Sequence, residues 1–238
     1  MAYVAKKCGV PRYVYASSCS VYGFTDNEEM DENSEPSPQY PYGIAKLQAE
    51  KAIMMLEDEN FRPISIRKGT VGGWSPRMRY DLVVNTMTKY ALTEGRITVN
   101  NPTLWRPLVD VRDVVQAYKL SIEADLNITG IFNISYENYT IKKIATEIKD
   151  ALLQFGHSTD ILINNVADIR NYKATNQKAR DILNFDPKYT VADSVAEIMQ
   201  NLAEVRVLYD FSDDSYYNIQ TYKKFFKMER KNDYSRIL

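Results

Sequence analysis

The residues that decide the fold are Arg-Tyr-Val-Tyr-Ala-Ser-Ser-Cys-Ser-Val-Tyr-Gly at positions 12–23 and Pro-Tyr-Gly-Ile-Ala-Lys at positions 41–46. The first stretch is rich in β-branched and aromatic residues and ends in hydroxyls and a glycine, which is typical of a strand. A buried strand of this kind delivers side chains to a site at its carboxyl end. The second stretch begins with a proline suited to a first helical turn, so it predicts a helix.

Tyr42 and Lys46 are four residues apart, so they share one face of that helix. A cation beside a phenol favours the phenolate, and a hydroxyl donor next to such a tyrosine can bind and deprotonate an alcohol. The spacing alone is weak evidence, because the chain has 18 tyrosines and the same spacing occurs elsewhere. Only the Tyr42 copy follows a strand that ends in hydroxyls. The alternative is an ordinary strand–loop–helix with surface hydroxyls.

The motifs Ser-Ser-x-Ser-Val-Tyr-Gly and Tyr-Gly-Ile-Ala-Lys resemble those of the extended short-chain dehydrogenase/reductases, the NAD-dependent sugar-nucleotide epimerases and dehydratases. In that family the catalytic hydroxyl lies three residues before the valine of Val-Tyr-Gly, which is Ser18 here. The resemblance therefore implies Ser18, Tyr42 and Lys46 as catalytic residues, with Tyr42 as the base. It also implies that Tyr42, Lys46 and Thr70 contact an NAD cofactor, whose ribose Lys46 would hold.

Composition excludes several other classes of protein. Hydrophobic residues make up 45% and charged residues 26% of 238 residues, which is ordinary for a soluble globular chain of one large or two small domains. A net charge of −1 gives no indication of a nucleic-acid or membrane partner. Two cysteines and one histidine argue against a disulfide framework, a zinc site or a histidine-based triad. Without a signal-like segment or an apolar run of membrane-spanning length, a cytoplasmic location is expected.

Strands and helices are predicted to alternate along the chain, which indicates an α/β fold with a mostly parallel sheet. With the resemblance, this predicts a partial Rossmann-like, doubly wound parallel sheet and a smaller α/β substrate-binding region. Residues 24–40 and 68–78 are expected to be irregular. The predicted helices span 1–8, 42–59, 81–93, 110–124, 140–152, 175–183, 190–207 and about 216–227, and the predicted strands span 12–17, 63–67, 96–99, 104–109, 131–135 and 161–163.

A dinucleotide site of this type needs a strand, a glycine-rich turn and a helix N-terminus for the pyrophosphate. Neither Gly-x-Gly-x-x-Gly nor Gly-x-x-Gly-x-x-Gly occurs, and the nearest glycines, Gly69, Gly72 and Gly73, follow the catalytic segment. Family members begin with that motif and several strands before the serine-containing strand. The resemblance thus implies that residues 1–75 are the C-terminal part of an NAD-binding domain. Residues 76–238 are expected to bind mainly substrate, with some elements returning to the sheet.

Residues 96–114 are similar to the family segment that holds a nucleotide diphosphate. The resemblance implies that Arg106 contacts a phosphate, which suits the forked donors of a guanidinium. The alternative is a surface ion pair of Arg106 with Asp110 or Asp113. For Asp113 a capping or orienting role is expected rather than catalysis.

Three further residues are substrate-binding candidates by the same resemblance. Asn85 matches an asparagine near the diphosphate, Val99 matches a backbone position beside the nucleobase, and Arg170 matches a late arginine near the sugar nucleotide. For Asn85 and Arg170 the alternative is a polar residue on a solvated face.

Two departures from the family pattern concern the reaction and the cofactor site. Members usually carry a proline or apolar residue, a tyrosine and a proline near the nicotinamide, where this chain has Lys68, Gly72 and Trp74. Dehydratases of the family carry Asp-Glu as acid and base for water elimination, where this chain has Cys19 and Ser20. Their absence argues against dehydration.

Three hypotheses about function remain open. The first is an NAD-dependent nucleotide-sugar epimerase that uses Ser18, Tyr42 and Lys46, in an incomplete or split version. The second is a catalytically inactive nucleotide-sugar-binding module, and the third is a partial gene product.

Besides the nucleotide sugar, the expected partner is a second copy of the chain, contacted through helix 42–58, or a complementary N-terminal fragment. Strand 12–17 should normally lie inside a parallel sheet covered on both faces. Without preceding strands it would have an unpaired edge, and such edges invite pairing with another chain.

Overall fold

The computed structural model describes residues 1–164, 171–204 and 211–231 and shows strands alternating with helices. Two short 3-10 helices, Cys19–Tyr22 and Asp214–Tyr216, complete the elements of the described residues. The helices are α1 Ala2–Lys7, α2 Pro41–Met54, α3 Val83–Glu94, α4 Val111–Glu123, α5 Ile141–Leu153, α6 Gln177–Leu183, α7 Val191–Glu204 and α8 Asn218–Lys231. The strands are β1 Arg12–Ser18, β2 Phe24–Met30, β3 Arg62–Lys68, β4 Thr70–Gly72, β5 Arg96–Asn100, β6 Trp105–Asp110, β7 Gly130–Ile134, β8 Glu137–Thr140, β9 Asp160–Asn164 and β10 Asn171–Ala174.

The sheet that positions the site has three parallel strands in the order β1-β3-β7. On one face, Tyr13 and Tyr15 of β1 pack with Ala2 of α1 and Ile53 of α2. On the other face, residues of β3 and β7 pack in one cluster with residues of α4 and α6. Helices therefore cover both faces, as expected of a parallel sheet in an α/β protein. Of the described helices, none combines the length and apolarity needed to cross a bilayer.

The second apolar core lies under α3, α5 and α7. Strand β6 pairs in parallel with β4 and antiparallel with β8, and β5 pairs in parallel with β9. A capping box starts α7, since Asp193 Oδ2 accepts from Thr190 N at 2.8 Å and Thr190 Oγ1 accepts from Asp193 N at 3.1 Å. The core cluster includes Val84, Ile97, Leu108, Ile144, Ile148 and Val195.

The α/β alternation is confirmed, but the prediction that residues 24–40 and 68–78 are irregular is wrong in part. Residues 24–30 form β2, which pairs in parallel with β10 and is joined to it by the amide of Asn171, whose Nδ2 donates to Thr25 O at 3.0 Å. Residues 70–72 form β4. Strand β2 is polar and β4 has three residues, so neither shows the hydrophobic alternation that predicts a strand. Both strands are held by partners that are distant in sequence. The strands β8 and β10 were not predicted for the same reason.

Strand β1 is paired on one side only among the described residues. Its residues 12–16 are half-buried, whereas residues 63–67 of the neighbouring β3 are buried. The other side of β1 therefore presents backbone groups without a ladder partner in the described chain.

From this edge we expect the purified chain to self-associate or to require a partner for solubility. An unpaired apolar strand edge is a template for pairing with another chain. Size-exclusion chromatography with light scattering on the purified chain measures this. A stable monomer that unfolds cooperatively and shows no association would contradict the expectation.

Candidate active site

Ser18 is the last residue of β1 and caps the 3-10 helix Cys19–Tyr22. Its Oγ accepts a hydrogen bond from Ser20 N at 3.2 Å. An acceptor bond of this kind fixes the oxygen while leaving the hydroxyl proton available for donation. The strand thus places the predicted catalytic hydroxyl at the carboxyl end of the sheet, where α/β proteins bind ligands.

Tyr42 and Lys46 lie in the first turns of α2, next to the end of β1. Lys46 Nζ donates to Ala16 O at 2.7 Å and lies 5.7 Å from the centroid of the Tyr42 ring. The Tyr42 side chain is 60% exposed, so a ligand can reach its hydroxyl. Burial lowers the pKa of Lys46. The structure therefore brings a phenol and an ammonium to the strand that carries Ser18.

Gly43 lets α2 approach the 3-10 helix closely. A Cβ at Gly43 would lie 2.7 Å from Ser20 O and 3.0 Å from the Cβ of Pro38. Because the nearest of these atoms belongs to the backbone, a side chain at this position would push the helix away from the strand that ends in Ser18. The glycine of the Tyr-Gly-Ile-Ala-Lys motif is thus required by packing rather than by backbone flexibility.

We expect Gly43→Ala to lower catalysis about 100-fold, because a displacement of about 1 Å can reduce the rate by that factor. Steady-state kinetics under saturating substrate measures the loss. The matched control is Ala45→Gly, which changes an exposed position of the same turn. Unchanged kinetics of Gly43→Ala would show that the close approach is not needed.

Lys68 and Tyr118 form a second lysine–tyrosine contact at the same end of the sheet. Lys68 Nζ donates to Ser17 O at 3.1 Å and lies 3.2 Å from the Tyr118 hydroxyl. Burial, and then repulsion from Lys46, lowers the pKa of Lys68 to about 8. Burial raises the pKa of Tyr118. Sequence reasoning did not place this pair in the site, although the departure from the family pattern at Lys68 was a signal.

A buried ion pair anchors α2 to β3. The Arg67 guanidinium contacts Glu50 Oε1 at 2.6 Å, and the two side chains are 3% and 1% exposed. Ser65 Oγ donates to Glu50 Oε2 at 2.8 Å, and Arg67 Nη1 donates to the Tyr22 hydroxyl at 2.9 Å. Burial alone would lower the pKa of Arg67, but the hydrogen bonds and charges of Glu50 and Tyr22 raise it overall. The tyrosine of Val-Tyr-Gly thus has a structural role.

Arg106, the predicted phosphate ligand, is 8% exposed in β6. It donates to Trp105 O at 2.7 Å, and its guanidinium carbon lies 5.8 Å from the centroid of the Tyr172 ring. Arg106 is therefore a buried residue rather than a surface one, and the described contacts include no ion pair of Arg106 with Asp110 or Asp113. The predicted phosphate contact of Arg106 remains a proposal.

The two carboxylates considered as partners for Arg106 have other contacts. Asp110 Oδ1 accepts from Arg112 Nε at 2.8 Å. The carboxylate of Asp113 accepts the N–H groups of Lys188 and Tyr189, each at 3.0 Å. Asp113 therefore orients the chain before α7, as predicted.

Of the other predicted ligand residues, Asn85 belongs to α3, Val99 to β5 and Thr70 to β4. Asn85 is 3% exposed, and its amide exchanges two hydrogen bonds of 3.2 Å with the backbone of Gly73. These bonds use one of the two N–H donors of the Asn85 amide, and the diphosphate contact remains a proposal. Val99 is fully buried in β5, where it pairs with Ile163 of β9, and its predicted contact with a nucleobase remains a proposal. Thr70 is half-buried in β4, and Arg170 lies outside the described residues.

Comparison with known proteins identifies the family. The model of the NAD dependent epimerase/dehydratase family matches residues 1–135, more than half of the 238 residues. The chain belongs to that family. The match includes the strand with Ser18, the helix with Tyr42 and Lys46, and β3, whereas α5 to α8 lie beyond it.

Several known proteins are similar to this chain along most of its length. An uncharacterized UDP-glucose epimerase of Bacillus subtilis (strain 168) is 26% identical over 204 residues, which cover 82% of this chain and 62% of that relative. The chain thus spans less than two thirds of the length of this curated relative. The solved structure of MoeE5 in complex with UDP-glucuronic acid and NAD is 23% identical, with a TM-score of 0.74 over 86% of this chain and 69% of that one.

A UDP-glucose 4-epimerase of Thermotoga maritima, solved with UDP-glucose, is also 23% identical. Its TM-score is 0.73 over 84% of this chain and 67% of that chain. These likenesses confirm the predicted α/β, Rossmann-like fold of the family.

Proposed function

We propose that this chain carries the catalytic and nucleotide-sugar-binding residues of an NAD-dependent epimerase. The observation that supports the proposal most is the exposed phenol of Tyr42 beside the Lys46 ammonium, which donates to Ala16 O of the strand that ends at Ser18. Membership of the NAD dependent epimerase/dehydratase family, with relatives named as UDP-glucose epimerases, supports the same reaction class. Cys19 and Ser20 at the dehydratase positions favour epimerisation over loss of water.

In this mechanism the chain's own residues move one proton. Ser18 donates its hydroxyl proton in a hydrogen bond to the reacting sugar oxygen, and the phenolate of Tyr42 accepts the proton of the sugar hydroxyl. The Lys46 ammonium stabilises the phenolate, since an opposite charge nearby favours the ionised form. NAD, when bound, would supply the hydride acceptor and donor for oxidation of the sugar alcohol and reduction on its other face. Tyr42 then returns the proton to the new alcohol.

The residues present fit one part of NAD. The Tyr42 hydroxyl and the Lys46 ammonium are donors suited to ribose hydroxyls, and Thr70 is a further proposed cofactor contact. Gly69 and Gly73, which come nearest to a glycine-rich pattern in the sequence, do not fit the pyrophosphate. A Cβ at Gly69 would lie 2.7 Å from Pro107 O, and one at Gly73 would lie 2.7 Å from Asp110 Oδ2. These glycines serve packing between strands, so we assign only the ribose end of NAD to this chain's described residues.

For the nucleotide sugar, Arg106 is the proposed phosphate donor, and Asn85, Val99 and Arg170 are further proposed contacts. The proposed partner is a second copy of the chain, through α2, or a complementary fragment that pairs with β1. On α2, Tyr42 is exposed and Ile44 is 39% exposed, which leaves part of its surface available for such a contact.

A nucleotide-sugar-binding module without turnover is the second candidate. It is supported by the burial of Arg106, the proposed phosphate donor, in β6 of this chain, and by Gly69 and Gly73, which do not fit the pyrophosphate of NAD. Calorimetric titration of the chain with UDP-glucose, in the presence and absence of NAD, separates the two candidates. Heat from both ligands supports the epimerase, and heat from UDP-glucose alone supports the binding module. No heat from UDP-glucose under either condition would exclude both.

A further inference from the structure

Two ammonium groups lie at the carboxyl end of β1 without a carboxylate. Lys46 Nζ donates to Ala16 O at 2.7 Å, and Lys68 Nζ donates to the next carbonyl, Ser17 O, at 3.1 Å. The other hydrogen-bond partner of Lys68 is the neutral hydroxyl of Tyr118 at 3.2 Å. In the part of the chain that the structure describes, no ion pair involves either lysine.

In the described chain these two ammonium groups have no negatively charged partner. Buried charges in proteins are paired, because an ion removed from water loses solvation that a counter-ion must restore. Lys68 is half-buried and faces the like charge of Lys46, and both of its hydrogen-bond acceptors are neutral oxygens. The Lys89 ammonium, which donates to the Tyr217 hydroxyl at 3.0 Å, is a similar lysine–tyrosine contact on α3. In the described chain Lys89 contacts Tyr217 and Tyr90 and no second lysine, so the doubled charge distinguishes the site at β1.

We infer that Lys68, held by Tyr118 and reinforced by the charge of Lys46, binds an anionic oxygen group of the ligand. This inference rests on the proposed function, because the ligand is a nucleotide sugar. The anionic oxygen is either the carboxylate of a uronic-acid sugar or a phosphate of the diphosphate. The carboxylate is favoured, because Lys68 neighbours Lys46, whose Nζ lies 5.7 Å from the ring of Tyr42, the proposed base. An anion bound beside that ring belongs to the reacting sugar.

The inference has a pH dependence with a definite sign. Lys68 is a cation below its pKa of about 8 and neutral above it, so affinity for an anion falls as the pH rises through 8. The titratable groups that face it are Lys46 of α2, Cys19 of the 3-10 helix and Tyr118 of α4. Burial raises the pKa of Cys19 to about 12, so that thiol stays neutral over this range. Bound anion would in turn raise the pKa of Lys68.

The test compares UDP-glucuronic acid with UDP-glucose, which differ only in the carboxylate, by calorimetry at pH 7. We expect Lys68→Met to weaken binding of UDP-glucuronic acid about 10- to 100-fold, since a hydrogen bond to a charged group contributes that much, and to leave UDP-glucose unchanged. Lys68→Arg should retain the preference, and the wild-type preference should decline above pH 8. The matched control is Lys89→Met, for which no change of preference is expected.

Equal weakening of both ligands by Lys68→Met would support the anion site and assign the anion to the diphosphate. Affinities unchanged for both ligands would overturn the inference. A second measurement is independent of nucleotide-sugar binding, namely the 13Cε resonance of Lys68 in labelled chain, assigned by its loss in Lys68→Met. Free glucuronate or inorganic phosphate should shift it. A shift of this resonance without binding of UDP-glucose would support the anion site and refute the proposed function. Binding of UDP-glucose without a shift would refute the anion site and leave the proposed function standing.

Discussion

Tyr42→Phe is expected to lower epimerisation of a nucleotide sugar by about 10²- to 10⁴-fold, the usual contribution of a positioned general base. The substitution removes the hydroxyl that accepts the sugar proton and keeps the ring that lies 5.7 Å from Lys46 Nζ. Binding of UDP-glucose should stay nearly intact, because the proposed phosphate donor, Arg106, belongs to β6, whereas Tyr42 belongs to α2. Steady-state kinetics and calorimetry on the same preparation separate the two effects.

The matched control is Tyr3→Phe. Tyr3 has the same spacing to Lys7, whose Nζ lies 5.6 Å from the Tyr3 ring, but it belongs to α1. No change in rate is expected for this variant. Equal activity of Tyr42→Phe and wild type would refute the assignment of Tyr42 as the base.

Glu50→Gln is expected to destabilise the chain by about 3–5 kcal/mol, because it leaves the Arg67 guanidinium buried without its counter-charge. The pair is almost fully buried, and the Glu50 carboxylate also accepts from Ser65. Urea unfolding measures the free-energy difference. The double variant Glu50→Gln/Arg67→Met should recover part of the loss, since it removes both charges together.

An exposed ion pair provides the comparison for Glu50→Gln. Arg79 contacts Asp81 at 2.7 Å with side chains 34% and 26% exposed. Asp81→Asn should change stability by no more than about 1 kcal/mol, as is usual for exposed pairs. A loss for Glu50→Gln as small as that for Asp81→Asn would contradict the anchoring role of the buried pair.

Sequence reasoning placed Ser18 at the end of a strand, and Tyr42 and Lys46 at the start of the next helix, because these residues follow one another along a strand, a loop and a helix. Their spacing and neighbours carry most of the information about their placement. The amphipathic helices were predicted equally well, since an apolar face such as that of α5 repeats with helical periodicity.

Contacts between distant elements could not be predicted in this way. Strand β2 is polar and is held by β10, which lies far along the chain. Lys68 and Tyr118 meet across 50 residues, between a strand and a helix whose packing no local pattern specifies. Asn85 was assigned to a ligand by resemblance, whereas its amide is committed to the backbone of Gly73. Packing decides each of these contacts.

The most direct test of the central claim is conversion of UDP-glucose to its epimer by the purified chain, followed by NMR of the anomeric protons. The account predicts product with wild type and NAD, at least about 100-fold less with Tyr42→Phe, and none without NAD. Conversion at equal rates by wild type and Tyr42→Phe would contradict it. Intact binding of UDP-glucose without any conversion by wild type would replace the epimerase with the binding module.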